Sequence, residues 1–104
     1  MGENIADNAG LAIAYDAYRL SLGGREAPVI DGFTGDQRFF MGRAQVNRVA
    51  SREAELRRSV LSGVHSPSRW RTWAVRNHDA WYRAFDVRPG DRLYLPPEQR
   101  IAIW

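Results

Sequence analysis

The chain has no cysteine, no lysine, only two histidines, His65 and His78, and no apolar run near the ~18 residues that span a bilayer. Each absence excludes something. Without cysteine there is no disulfide and no thiolate metal site, and the redox compartment stays open. A catalytic zinc takes three protein ligands from Cys, His, Asp and Glu, so two histidines without helical spacing argue against a self-contained zinc site. The lack of lysine puts all positive charge on fifteen arginines, set against twelve acids for a net charge of +3. These arginines are scattered among the acids rather than gathered in a block, so no nucleic-acid partner is expected. No internal repeat, low-complexity tract, targeting segment or interdomain linker is visible in the 104 residues.

What is present argues for a folded chain. The hydrophobic fraction is 44% with twelve aromatics, which suits a globular unit and not a disordered one. At this length it can hold one small core or form part of a larger one.

Leu11, Tyr15, Tyr18 and Leu22 recur at helical spacing, and Gly23-Gly24 follows as a stop, so the pattern predicts a helix over about 3–22. A second face of it aligns Glu3 and Asp7 above Gly10, Ala14 and Ala17. Glycine inside a helix costs about 1 kcal/mol against alanine, and a row of small side chains admits a close neighbour, so another element is expected to pack there. Residues 25–33 read as a loop. Thr34-Gly35-Asp36-Gln37 has capping-box form and opens a helical region expected to turn Phe39, Phe40, Val46 and Val49 inward. A break near Ser51 precedes Leu56, Val60 and Leu61, and Gly63 is the expected terminator. Ser66 is the expected N-cap of the next helix, with Pro67 at its first position and Trp70, Trp73 and Ala74 on one stripe. Asn77 is the expected cap of a short helix carrying Trp81 and Phe85, and these aromatics are assigned to the core. His78 and Asp79 are assigned structural roles. Arg88-Pro89-Gly90-Asp91 is a turn signal, 93–97 should be irregular, and the alternation in 101–104 permits a short edge strand.

Two segments suggest chemistry. Gly2-Glu3-Asn4-Ile5-Ala6-Asp7 resembles the G-E-N-I-A-D segment of the neprilysin family of zinc metallopeptidases, and Val64-His65-Ser66-Pro67-Ser68-Arg69-Trp70-Arg71 resembles its V-H-S-P-x-x-x-R element. Ala14-Tyr15-Asp16-Ala17-Tyr18 is similar to the family's A-Y-x-A-Y, Phe39-Phe40 and Ala44-Gln45-Val46 to its F-F and A-Q-x-W region, and Trp104 to its C-terminal tryptophan. These matches run through the whole chain in the family's order.

The resemblance implies a mainly α fold, the C-terminal helical portion of a zincin (gluzincin) catalytic domain with an irregular tail, in which residues 1–104 are an incomplete domain. It implies that Glu3 is a metal ligand for Zn2+, that Asp7 supports the site, that His65 steadies the oxyanion and that Arg71 binds a substrate carbonyl. Peptide substrates follow from the same source, as does a periplasmic or secreted location. The family's H-E-x-x-H is absent from these residues, so the general base and two ligands are expected from a preceding part of the protein. The chain alone is then expected to be inactive, to lack bound zinc and to self-associate. Asn47 departs from the family's tryptophan, and Arg48, Val87 and Ile101 stand where animal relatives have cysteine. The reading outside this class is a non-catalytic Arg-rich helical module binding protein or nucleic acid. Without the resemblance, Glu3 and Asp7 would be read as complementing a helix dipole.

Overall fold

A computed structural model describes residues 2–103, and Trp104 lies outside them. Five α-helices, with no sheet among the described residues, form the fold: α1 Gly2–Ser21, α2 Gly35–Val46, α3 Glu53–Ser62, α4 Ser68–Thr72 and α5 Asp79–Phe85. Short 3-10 turns over Trp73–Asn77 and Pro97–Gln99 complete it.

Local chemistry sets most boundaries. α1 ends where Gly23 and Gly24 take left-handed φ values of 57° and 80°. The loop after it closes tightly: Ile30 and Phe33 exchange both backbone hydrogen bonds across Asp31 and Gly32, both at positive φ. The capping box forms as expected, with Gln37 N donating to Thr34 Oγ1 and Thr34 N donating to Gln37 Oε1. Gly63 ends α3.

The core is small. Leu11 of α1, Phe40 of α2, Val75 of the 3-10 turn and Ala80 of α5 form its centre, with Tyr15, Phe39, Trp81 and Ala84 packed around them. Tyr15 lies 5.3 Å from Phe39 and 5.5 Å from Phe40 between ring centroids, so the A-Y-x-A-Y and F-F segments meet directly. α1 packs on the Trp73–Asn77 turn, and α2 packs on α5.

Several expectations are corrected. Val46 and Val49 do not point inward, and Leu56, Val60 and Leu61 on α3 are exposed, because no other helix packs extensively on α3. Trp70 and Phe85 are exposed rather than core, and Val75 and Tyr82 take the buried positions. Ser66 is not an N-cap: α4 starts two residues later with Pro67 in the cap position, and the Ser66 hydroxyl turns to α1 instead. His78, not Asn77, precedes α5, and Asn77 Oδ1 accepts from Ile101 N. That bond, with Asn8 Nδ2 donating to Ile101 O, fixes the tail without a strand over 101–103.

The accessible surface is 7662 Å2. A compact monomer of this mass exposes about 5,900 Å2.

Candidate functional site

The first two turns of α1 carry the site residues, and three contacts in register join them to the 65–71 segment. His65 Nε2 lies 2.8 Å from Glu3 Oε2. Ser66 Oγ donates to Asn4 Oδ1 at 2.8 Å. Arg71 grips Asp7 with two arms, Nε to Oδ2 at 2.7 Å and Nη2 to Oδ1 at 2.9 Å. Glu3 and Asp7 share a helix face because they are four residues apart, and α4 starts at a point that lets Arg71 reach back over it. All four site residues expected from the sequence are thus brought together.

Two participants were not anticipated. Asn4 had a weak signal, its place next to Glu3 within the matched segment. Arg43 had none: it comes from α2, and its Nη2 donates to Asp7 Oδ1 at 2.8 Å. Only the packing of α2 beside α1 puts it there.

The two carboxylates differ in environment. The Asp7 side chain is 10% exposed and accepts three charge-assisted hydrogen bonds. A carboxylate has about four lone-pair directions, so one acceptor position remains, on Oδ2. The Arg71 fork, helped by Arg43, holds Asp7 below its ordinary carboxylate value of 3.8 against the opposing effect of burial. Glu3 is 46% exposed, and only Oε2 is engaged among the contacts found. Glu3 thus has an oxygen open to a metal, whereas both Asp7 oxygens are engaged by arginine.

Among the described residues no group of three or more His, Cys, Asp or Glu side chains could hold a metal ion. The donor set fits one contributed ligand, not a whole site. A cleft of about 420 Å3 opens beside Arg71, lined by Asn4, Ile5, Asp7, Trp70, Trp73 and others. A narrower groove of about 290 Å3 runs between α1 and α2 along Asp7, Gly10, Ala14, Arg43 and Val46. The small-residue row borders this groove and is uncovered: Gly10, Ala14 and Ala17 are exposed, and a Cβ on Gly10 would meet nothing within 4 Å. His78 and Asp79 stand apart. Asp79 pairs with Arg100 at 2.6 Å, and burial lowers His78 below its ordinary value.

The residues that form this site lie within a match to the model of peptidase family M13 that covers residues 1–101. The chain belongs to peptidase family M13. The neprilysin-type resemblance of its sequence is thereby shown, and the fold is that of part of a zincin protease. Neutral endopeptidase from Lactobacillus helveticus is 36% identical over 105 residues, covering 100% of this chain and 14% of that protein. Neprilysin-1 from Caenorhabditis elegans is 36% identical over 109 residues, covering 99% of the chain and 14% of its own length. The zinc metalloprotease Zmp1 of Mycobacterium tuberculosis, in its open state, superposes with a TM-score of 0.95 at 54% identity, over 99% of this chain and 16% of that one. An inhibitor complex of the same protein gives 0.96. The M13 chain thus spans about one seventh of the length of the relatives it matches.

Proposed function

We propose that this chain forms one wall of the catalytic site of a zinc-dependent metalloendopeptidase, the remaining wall being supplied by a preceding part of the same protein. The observation that carries the reading is the register of Glu3 with His65 and of Asp7 with Arg71 on one helix face. Two segments that stand 64 positions apart at Asp7 and Arg71 meet at hydrogen-bond distance.

Glu3 is the third metal ligand, a carboxylate on a rigid helix with an exposed oxygen. When bound, zinc supplies Lewis-acid polarisation of the scissile carbonyl and acidifies a water at neutral pH. Asp7 uses its remaining acceptor position to receive the N–H of a histidine ligand and so fixes that ring's tautomer and direction. His65, beside Glu3, donates to the oxygen on which negative charge develops, a role worth about 3 kcal/mol where such donors are preorganised. Arg71 keeps three N–H groups outside its fork with Asp7, and these hold a substrate carbonyl. The general base lies outside this chain, which is therefore inactive alone. Many of its other arginines are engaged within the chain: Arg19, Arg57, Arg58, Arg88 and Arg100 pair with acids, and Arg38 and Arg76 donate to backbone carbonyls. This favours the peptidase over an Arg-rich polyanion-binding module.

The test uses a longer protein in which an H-E-x-x-H segment precedes Gly2 in frame. It should hydrolyse peptides and carry stoichiometric zinc, and Glu3→Ala should lose both. Zinc retained in full by Glu3→Ala would remove Glu3 from the ligand set.

A further inference from the structure

Arg43 is in an unfavourable place for a residue that only fills space. Its side chain is 21% exposed, its Nε is buried with no hydrogen-bond partner among the described residues, and its Nη2 shares Asp7 Oδ1 with Arg71. An apolar side chain of similar length would fill the same volume without an orphaned donor and without a second positive charge beside Arg71. Asn47 holds the last turn of α2 in place below it: this buried amide donates to the Arg43 carbonyl at 3.1 Å.

The geometry is that of a brace. Asp7 belongs to α1, Arg71 to α4 and Arg43 to α2, so one carboxylate ties three elements at a single point. Arg71 grips both oxygens. Arg43 takes only Oδ1 and leaves Oδ2 with its open acceptor position. Were Arg71 the sole partner, any shift of its guanidinium toward another acceptor would leave a largely buried carboxylate undercompensated, and Asp7 would follow it. With Arg43 in place, Asp7 keeps a charged partner and its position whichever way the free Nη1 edge of Arg71 is drawn.

We propose that Arg43 is a positioning residue for peptide hydrolysis: it holds Asp7 still, and through Asp7 it aims Arg71 at the substrate carbonyl. This rests on the peptidase reading given above and adds to it a residue from α2 that acts through the Asp7–Arg71 pair. Because it acts on Arg71, its loss is felt in substrate binding. Because Asp7 keeps the Arg71 fork, the metal site remains filled.

The experiment is steady-state kinetics on the intact, zinc-loaded peptidase with a fluorogenic peptide, comparing wild type, Arg43→Met, Arg43→Gln and Arg43→Lys. Arg43→Met is expected to raise KM about tenfold with kcat within about twofold and zinc stoichiometry unchanged, since a small misalignment of a binding group has effects of this order. Arg43→Lys, which restores the charge, should recover most of KM, and Arg43→Met should add little in an Asp7→Asn background. If Arg43→Met proves unfolded, the Gln and Lys variants carry the same comparison. Wild-type KM in Arg43→Met or Arg43→Gln overturns the inference alone. So does a fall in kcat and zinc content at constant KM, which marks a merely structural residue. A wild-type enzyme that carries zinc yet cleaves no peptide overturns the underlying reading and this one with it.

Discussion

Arg71 and Asp7, 64 positions apart, meet edge-on, with each carboxylate oxygen taking one nitrogen of the guanidinium at 2.7 and 2.9 Å. Only arginine makes this contact. A lysine ammonium is a point charge that reaches one oxygen at a time and cannot set the direction of its remaining donors. In the intact peptidase, Arg71→Lys should therefore raise KM by about tenfold or more while zinc stays bound, and metal analysis with Michaelis kinetics checks it. An unchanged KM would take Arg71 out of substrate binding.

His65 contacts Glu3, the proposed metal ligand, and not Asp7. If its part is to donate to the developing oxyanion, His65→Ala should lower kcat by about 100-fold with little change in KM or zinc. Loss of zinc in this variant would instead mean that His65 holds Glu3 in place as a ligand. The two outcomes separate on one preparation assayed for metal and for turnover.

Tyr15 gives a pH signature of the fold itself. Burial first, and then its hydrogen bond to Asp36 Oδ2 at 2.8 Å, push its phenol up to about 12. A raised folded value means that the unfolded chain gives up this proton first. The stabilisation is therefore complete below the unfolded value near 10 and disappears as pH rises toward 12. Spectroscopic titration of the phenols should show a late component that is absent in Tyr15→Phe, and the variant should also lose stability less steeply across that window. A Tyr15→Phe titration identical to wild type would contradict the assignment.

Most of the site was legible in the sequence, and less of the packing. Glu3, Asp7, His65 and Arg71 sit in segments whose spacing is set by the chemistry they resemble, and α1 and the Thr34 cap follow from local rules. Arg43 was not legible, because an arginine among apolar residues on α2 has no local reason to reach Asp7. Ser66 and Asn77 differ from expectation for the opposite reason: each has the local form of a helix cap, but a tertiary partner takes its side chain, the Ser66 hydroxyl donating to Asn4 Oδ1 and Asn77 Oδ1 accepting from Ile101 N. Val46, Val49 and the α3 apolar residues carry a core-like pattern that nothing among the described residues covers.

Gly35 marks a close approach of α2 to Tyr18 and Ala27. A Cβ there would collide with the Tyr18 hydroxyl and with the Ala27 methyl, and Gly35 is itself buried. Gly35→Ala should destabilise by about 1–3 kcal/mol, the usual range for overpacking. The Tyr18 hydroxyl is buried without a hydrogen-bond partner among the described residues, so Tyr18→Phe should cost little and should relieve part of the Gly35→Ala penalty. Denaturant unfolding of the two single variants and the double variant checks both statements. Strict additivity would mean that the clash lies with Ala27 alone.

The uncovered apolar residues make a prediction about the isolated chain. Leu61 is 88% and Val46 79% exposed, and Val49, Val60 and Val64 lie in the same stretch of chain. The surface exceeds that of a compact monomer by roughly 1,700 Å2, against the ~800 Å2 per partner that a stable interface buries. Exposed apolar side chains gathered in one stretch are relieved by association with a second copy. Sedimentation velocity should therefore show reversible dimers or larger species that grow with concentration. Replacing Val60 and Leu61 by serine should shift the chain toward monomer without altering the Glu3–His65 and Asp7–Arg71 contacts, which lie on α1 and the 65–71 segment rather than on α3. A wild-type chain that stays monomeric at high concentration would contradict this.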